Sequence, residues 1–340
     1  MTQRIGIVGT GWVTEKHIAA IGRIAGARVT AIAGRNLGRA GELAAMAAAA
    51  KTAAGSASEL PKTYPDWAAM FAREELDAVF ILLPPHLHGD LEAACAARVP
   101  AVLVEKPVAN ALGVAMCALD AFEAAGTFAA AAYMNRCRRS VARARELFAG
   151  PADAPVLVEG RWVTPLPPPP WWRDRTMSGG QFVEQCTHLV DIARFVAGEI
   201  AEVSAFSGSG FINDVEGFAV DDAMVVSVRF ASGAVGQFST GCFPRAEGDG
   251  GIGMEFGSRS VRCRLSGWAM ELRAETGAGV TETVVDKEDI FEVEDRLFLK
   301  AAATGERGIF PSSYADAVRT LRVTLAANES AATGRVVRLE

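Results

Sequence analysis

Paired cysteines and long apolar runs are both scarce in this chain of 340 residues. The six cysteines include no C-x-x-C pair and stand at positions 95, 117, 137, 186, 242 and 263. This spacing argues against a disulfide framework and fits buried free thiols in a reducing compartment. No run approaches the ~20 apolar residues that a bilayer-spanning helix needs. The sequence opens on RIGIVG, a predicted buried strand rather than a signal peptide, so we expect a cytoplasmic protein without a membrane partner.

Basic charge is also scarce, because 34 lysines and arginines face 40 aspartates and glutamates, for a formal net charge of −6. A nucleic-acid phosphate backbone attracts a basic face. The basic stretch RCRRSVARAR at 136–145 intersperses its arginines with alanine and valine along a predicted helix, which is typical of a solvated face. We therefore expect no nucleic-acid partner.

Histidine is rare too, with four in the whole chain. A protein zinc site needs three or four ligands, and His86 and His88 form the one H-x-H pair. They follow Pro84-Pro85 at the end of a predicted strand, so we interpret His88 as a helix-start residue or as one beside a bound ligand. His17, on the first predicted helix, is expected to be structural. The sequence predicts no metal site.

The first third of the chain has the pattern of a dinucleotide-binding domain. RIGIVGTGWVTEKHIAAI combines an apolar strand, a glycine turn at Gly9 and Gly11, and an amphipathic helix whose positive end suits a pyrophosphate. Thr14 occupies the third glycine position of G-x-G-x-x-G. Three more apolar strands, ARVTAIAG, LDAVFILLPP and AVLVEKP, alternate with helical stretches. This alternation predicts a doubly wound parallel sheet with helices on both faces, a Rossmann fold of the α/β class.

The end of the second predicted strand bears on the choice of cofactor. Enzymes that use NAD usually carry an acid there to bind the ribose hydroxyls, whereas this chain has Gly34, Arg35 and Asn36. An arginine suits a 2′-phosphate in charge and donor geometry. We therefore expect NADP in preference to NAD, with a merely solvated Arg35 as the alternative. Further cofactor contacts are predicted at Trp12, Val13, Leu83, Pro84, His88 and Glu105.

The segment SGGQFVEQCTHLVD at 178–191 raises a different question. It places Glu184 and His188 four residues apart, on one face of a helix, with Asp191 three residues further on. The pair fits a surface salt bridge, half of a metal site, or a catalytic pair, since an imidazole exchanges protons near neutral pH.

The segment RWVTPLPPPPWWRD at 161–174 precedes these residues and has four consecutive prolines. Trp171, Trp172 and Arg173 then offer indole faces for a sugar ring and a cation for hydroxyls or carboxylates. The alternative is a surface loop whose tryptophans plug the domain junction.

Four segments together give a resemblance: GIVGTGWVTEKHIAA, ILLPPHLHGDLEAACAARVP, AVLVEKPVA and SGGQFVEQCTHLVD. The chain resembles the glucose–fructose oxidoreductase / inositol dehydrogenase family, often called Gfo/Idh/MocA. The resemblance implies an NAD(P)-binding Rossmann domain at 1–125 and a substrate-binding α+β domain at 126–340, built on a large, open, mostly antiparallel sheet. That sheet commonly forms oligomers in the family. Stretch 221–230, DDAMVVSVRF, is a candidate strand of it, and we expect a homodimer or homotetramer through an exposed apolar face.

The resemblance also assigns residues and chemistry. It implies that Lys106 of E-K-P reaches the substrate beside the nicotinamide, that a cis bond often precedes Pro107, and that His188 is the general acid/base. Glu184 stands where the family often has aspartate, and Asp191 is expected to brace the histidine helix. The expected activity is an NAD(P)-dependent dehydrogenase or reductase acting on a secondary alcohol or carbonyl of a sugar, polyol or related cyclic compound. Two alternatives are a redox-neutral enzyme that cleaves or rearranges glycosides and a non-catalytic cofactor-binding regulator.

Overall fold

A computed structural model describes residues 2–55, 59–244, 251–277 and 279–339. The strands are, in chain order, β1 (Gln3–Val8), β2 (Ala27–Ala33), β3 (Lys62–Tyr64), β4 (Ala78–Ile81), β5 (Ala101–Val104), β6 (Phe128–Ala131), β7 (Leu157–Val163), β8 (Ile200–Gly208), β9 (Ala223–Phe230), β10 (Val235–Gly241), β11 (Ile252–Gly257), β12 (Val261–Ser266), β13 (Glu271–Thr276), β14 (Thr281–Val284) and β15 (Val337–Arg338). The α-helices are α1 (Trp12–Arg23), α2 (Leu37–Ala53), α3 (Trp67–Phe71), α4 (Asp90–Ala96), α5 (Leu112–Ala125), α6 (Arg139–Leu147), α7 (Arg175–Ser178), α8 (Gln181–Glu184), α9 (Thr187–Ala197), α10 (Ile290–Thr304) and α11 (Tyr314–Thr333).

The chain divides into two compact units. Unit 1 consists of the residues up to Ala109, Gly113–Cys137 and Glu288–Ala317. Unit 2 consists of Asn110–Leu112, Arg138–Lys287 and the residues from Val318 onward. The predicted single boundary between 125 and 126 differs from this division, because residues 126–137 and 288–317 belong to unit 1.

Unit 1 is built on a parallel sheet of six strands in the order β3-β2-β1-β4-β5-β6. The strands AVFI (β4) and AVLV (β5) are buried along their whole length, as a sheet covered on both faces requires. The strand order reverses between β1 and β4, the position where such folds bind ligands beyond the carboxyl ends of the strands. This confirms the predicted Rossmann architecture.

Helix α10 is a late segment of the chain that packs on α1 in unit 1. His17 Nδ1 lies 2.8 Å from Asp295 Oδ1, and both side chains are fully buried. Phe298 of the same helix stacks on Phe128 of β6 and meets Phe80 of β4 edge-on. These contacts join residues that are far apart in sequence, and they place in unit 1 residues 288–317, which the resemblance had assigned to the second domain.

Unit 2 is built on a sheet of nine strands in the order β14-β13-β12-β11-β7-β10-β9-β8-β15. All neighbours are antiparallel except β7 and β10. Buried and exposed residues alternate along β9, so one face carries the apolar core and the other is open. The predicted large, mostly antiparallel sheet is confirmed.

The open face is more polar than the sequence analysis expected. Glu255 of β11 binds both Arg262 and Arg264 of β12, and Arg229 of β9 binds Glu202 of β8. A few positions of this face carry exposed apolar side chains. Among them are two cross-strand pairs, Phe206 with Val225 and Val235 with Leu157. The expectation of an apolar face is therefore corrected to a charged face with apolar patches.

Two further observations concern the whole chain. All six cysteines carry free thiols. Among the described residues, none of the helices combines the length and apolar character needed to cross a membrane.

Candidate active site

The glycine loop after β1 leaves room for a negatively charged ligand. Gly9 has a φ of 125°, and an added Cβ would lie 2.1 Å from the carbonyl oxygen of Leu82. Gly11 is the N-cap of α1, and its missing side chain leaves the first N–H groups of the helix accessible. The loop lies at the carboxyl end of β1, beside β4. Backbone donors and the helix dipole there fit a dinucleotide pyrophosphate.

Thr14 explains why this loop departs from G-x-G-x-x-G. Its side chain is fully buried, and its hydroxyl donates to the carbonyl oxygen of Gly9 across 3.1 Å. The hydroxyl thus ties the first helical turn to the glycine loop. Of the neighbouring residues predicted to contact the cofactor, Trp12 is 62% exposed and Val13 is partly buried.

The end of β2 places Arg35 next to this loop. An added Cβ on Gly34 would lie 2.4 Å from Thr10 Cγ2, so only glycine lets the two segments approach this closely. Arg35 is exposed. The Asn36 carboxamide oxygen accepts from the Arg39 backbone N–H at 3.0 Å and caps α2. The structure therefore engages the Asn36 side chain as an N-cap, and its cofactor contact stays a prediction.

The residues after β4 correct the prediction for His88. Leu83 and Pro84 are partly exposed, as a cofactor contact requires. The His88 side chain has no exposed surface, since Nδ1 lies 2.5 Å from Glu92 Oε1 and Nε2 lies 3.3 Å from the Leu83 carbonyl oxygen. Burial raises the pKa of Glu92, but hydrogen bonds from His88 and the Gly89 N–H outweigh it and lower the pKa. His88 is a helix-start residue, and its side chain has no exposed surface for a cofactor contact.

The E-K-P turn follows β5. The peptide bond between Lys106 and Pro107 is cis, as the resemblance implied. Glu105 is 8% exposed, and its carboxylate accepts from the Lys106 backbone N–H at 2.8 Å while lying 3.6 Å from His17 Nε2. The Lys106 side chain is partly exposed. The Glu105 carboxylate thus contacts protein groups, which fix the backbone that carries Lys106.

His17 belongs to a buried cluster that the sequence analysis did not anticipate. One donor atom each of His17, Glu294 and Asp295 lies within 4.8 Å of the others. His17 Nδ1 and Asp295 Oδ1 lie 2.8 Å apart, a hydrogen-bond distance. Burial lowers the pKa of His17, but Asp295 and Glu105 outweigh it and hold the pKa well above its ordinary value. We assign the cluster as a buried ion pair.

In unit 2, Glu184 and His188 lie on two successive helices, which differs from the single helix that their spacing suggested. Glu184 ends α8 and His188 is the second residue of α9. The turn before α8 depends on Gly179 and Gly180, which have φ values of 78° and 89°. The Gly179 carbonyl accepts from the Asn328 side chain at 2.7 Å. These contacts fix where α8 begins.

The position of Trp172 contradicts the prediction that its indole stacks on a sugar ring. It is 1% exposed, packs with Val220 and Cys242, and its indole N–H donates to Glu184 Oε2 at 2.8 Å. A buried ring offers no face to a sugar, so Trp172 supports Glu184 and does not stack on substrate. Trp171 and Arg173 are partly exposed, and Arg173 donates to the Glu216 carbonyl oxygen at 3.3 Å.

His188 is held by a residue that the sequence analysis did not single out. It is 4% exposed, and its ring stacks on Trp162 of β7 with centroids 5.5 Å apart and an interplanar angle of 18°. Trp162 is the second residue of the quoted segment RWVTPLPPPPWWRD, but only the alternating burial of β7 identifies it as inward-facing. Asp191 accepts from the Thr320 hydroxyl at 3.1 Å and so joins α9 to α11, in keeping with the bracing role expected of it.

Comparisons with known proteins agree with this architecture. The model of the oxidoreductase family, NAD-binding Rossmann fold (GFO_IDH_MocA) matches residues 3–133, and that of the GFO/IDH/MocA C-terminal domain matches residues 141–256. D-xylose 1-dehydrogenase (NADP(+)) 2 of Haloferax volcanii is 28% identical over 346 residues, covering 98% of this chain and 99% of the relative. Myo-inositol 2-dehydrogenase of Thermotoga maritima is 28% identical, covering 68% of this chain and 66% of the relative. The solved structure of levoglucosan dehydrogenase in complex with NADH shares the fold, with a TM-score of 0.84, 21% identity and 100% coverage of both chains.

Proposed function

Because this chain belongs to the Gfo/Idh/MocA family of oxidoreductases, we propose that it interconverts a secondary alcohol and a carbonyl of a sugar, polyol or related cyclic compound. It is an NAD(P)-dependent enzyme that acts on CH–OH groups. The names of its relatives, which act on D-xylose, inositols and levoglucosan, support cyclic polyhydroxylated substrates. One observation carries the proposal: Trp162 stacks on the His188 ring, and Trp172 donates a hydrogen bond to Glu184. Each of the two side chains is thus held in a fixed geometry, as catalytic groups must be.

Unit 1 would bind the cofactor and unit 2 the substrate. When bound, the nicotinamide supplies hydride acceptance or donation at the reacting carbon. Gly11 and the first turn of α1 would hold the pyrophosphate, since a Cβ added at Gly11 would meet nothing within 4 Å, and Gly9 would let the loop turn closely beside Leu82. Arg35, exposed at the end of β2, would bind the 2′-phosphate, which favours NADP.

His188 would move the proton of the substrate hydroxyl. Its ring is nearly buried, so bulk water competes little for that proton. Glu184 would orient or charge-stabilise the imidazole, and Lys106 would donate to a substrate oxygen. Trp171 and Arg173 remain candidates for substrate contacts because both are partly exposed.

Assembly and location are further parts of the proposal. The register of β8 and β9 places Phe206 opposite Val225 on the open face, and these side chains are 79% and 49% exposed. Apolar side chains this exposed favour association, so we propose a homodimer or homotetramer through this face. Six free thiols support a reducing, cytoplasmic location.

Absorbance of the reduced cofactor tests the activity directly. We expect D-xylose, myo-inositol, levoglucosan or a related polyol to produce NADPH faster than NADH. Turnover of a glycoside without net NADPH would favour redox-neutral chemistry instead. With the substrate found in this way, His188→Ala and Lys106→Ala should each lower kcat by about 10²–10⁴-fold, because each removes a group that contacts the reacting oxygen. The Kd for NADP should stay nearly unchanged, and near-normal turnover by His188→Ala would contradict the assignment.

A further inference from the structure

Trp162 stacks on the ring of His188, the proposed acid/base. Trp162 lies on the inward face of β7 and is 3% exposed. A centroid separation of 5.5 Å with an interplanar angle of 18° is an offset stack, the favourable geometry for two flat rings. The indole face therefore covers one side of the imidazole.

Trp162 is itself held by the turn between β12 and β13. Trp268 in this turn meets Trp162 edge-on, with centroids 6.1 Å apart and an interplanar angle of 73°. The turn ends at Met270, which is 1% exposed and has a φ of 50°, a left-handed conformation that a methionine adopts at a cost. Arg138 also donates to the Trp268 carbonyl oxygen at 3.2 Å. The indole that covers His188 is thus itself in contact with a second aromatic ring.

A hydrogen bond of the indole N–H does not explain why a tryptophan is buried at position 162. This nitrogen is buried and has no hydrogen-bond partner among the described residues. Phenylalanine would fill much of the same space and avoid leaving a donor unsatisfied. The feature of Trp162 that the structure uses is the broad face of its ring.

A stacked ring is an effective way to orient a histidine. The bond that turns the imidazole, χ2, has a broad energy profile, so the backbone alone leaves the ring plane poorly defined. We propose that Trp162 is a positioning residue, which confines the χ2 angle of His188 and aims its reacting nitrogen at the substrate hydroxyl. This inference rests on the proposed role of His188 as the acid/base.

The test compares three substitutions of Trp162 and one matched control. Trp162→Phe keeps an aromatic face and removes the N–H, whereas Trp162→Leu removes the face. Trp162→Met is a second non-aromatic variant, used if the leucine variant does not unfold cooperatively. Trp67→Leu, the control, removes an indole that packs on Phe71 in unit 1. Each variant is assayed for kcat and KM with the substrate found above, and for the Cε1–H proton resonance of His188.

The resonance can be assigned because the chain has four histidines. The signal that is missing from the spectrum of His188→Ala belongs to His188. Loss of the stack should move this resonance toward the position of a histidine without an aromatic neighbour. We expect Trp162→Leu to lower kcat by about 10–100-fold, the effect of a misaligned catalytic group, while KM changes little. Trp162→Phe should restore most of kcat and of the resonance position, and Trp67→Leu should leave kcat nearly unchanged.

Two outcomes would overturn the inference. In one, Trp162→Leu moves the His188 resonance but keeps the kcat of the unmodified enzyme. In the other, the phenylalanine and leucine variants lose the same activity, which would assign the effect to the N–H. Failure of the proposed function looks different, because His188→Ala would then retain turnover while Trp162→Leu still moved the resonance.

Discussion

Trp172 donates the N–H of its buried indole to the carboxylate of Glu184 across 2.8 Å. The donor comes from the proline-rich segment and the acceptor from the end of α8, so this hydrogen bond joins two parts of unit 2. A hydrogen bond to a charged group is among the stronger contacts in a protein. It holds one oxygen of the Glu184 carboxylate in place, so the direction of the other oxygen is also defined.

Replacing Trp172 by phenylalanine should lower kcat about tenfold, because the Glu184 carboxylate loses its donor while most of the ring volume remains. Glu184→Gln should also lower kcat, and the double variant should be no worse than the more damaged single variant, since both changes break one interaction. Steady-state rates of the three variants measure this. Additive losses would show that Trp172 acts on something other than Glu184.

Arg35→Asp should weaken NADP binding by about 10–100-fold, because a charge-assisted contact to the 2′-phosphate is replaced by a repulsion. Binding of NAD should change little. Arg28→Asp is the matched control, since Arg28 lies near the start of β2, the strand that Arg35 follows, and is partly exposed. Titration of both cofactors into each variant gives the comparison. Equal affinities of the unmodified protein for NAD and NADP would contradict the assignment of Arg35.

The buried pair of His17 and Asp295 should make the free energy of unfolding depend on pH. The folded protein holds the pKa of His17 well above its ordinary value, with burial lowering it and Asp295 and Glu105 raising it more strongly. A raised pKa contributes stability that is fully present below the unfolded value of about 6.5 and is lost as pH rises through the folded value.

Asp295→Asn should therefore destabilise the protein by about 3 kcal/mol at pH 6, and this difference should shrink as the pH becomes alkaline. Urea unfolding at several pH values measures it. Glu292→Gln is the control, because Glu292 on the same helix pairs with Arg23, which keeps its charge over this range. If Asp295→Asn lowered the free energy of unfolding by the same amount at every pH, His17 would not titrate as described.

The open face of the unit 2 sheet should mediate self-association. Light scattering at micromolar concentration should give a dimer or tetramer, and Phe206→Asp should shift it toward monomer because a charge is placed in an apolar contact. Leu60→Asp is the control, since Leu60 is 65% exposed and lies in unit 1. A monomeric unmodified protein would contradict the proposal.

Much of unit 1 could be predicted because its signals are local. Gly9 and Gly11 follow a short apolar strand and precede an amphipathic helix, so adjacent residues specify the loop that fits a pyrophosphate. The place of α10 could not be predicted in this way. His17 and Asp295 are separated by 278 residues, and no periodicity along the chain indicates that they meet.

The candidate site in unit 2 shows the same limit. The spacing of Glu184 and His188 identified both residues, but it suggested one helix where a turn separates two. Trp171 and Trp172 are adjacent in a proline-rich segment that has no regular period, so composition could not tell which one is buried. Trp162 was missed because its role depends on a stack with His188 that joins a strand to a helix.

Segment 288–317 has a consequence for the order in which the protein can fold during synthesis. His17 is made 278 residues before Asp295, and a ribosome that adds 5–20 residues per second needs roughly 14–56 seconds to cover that distance. Throughout this interval the nascent cofactor-binding unit lacks α10, so His17 and the rings of Phe80 and Phe128 lack their partners. All strands from β7 to β14 are synthesised in the meantime. The unit that begins the chain is thus completed after most of the second sheet already exists, and its uncovered α1 surface is where we expect nascent-chain chaperones to bind.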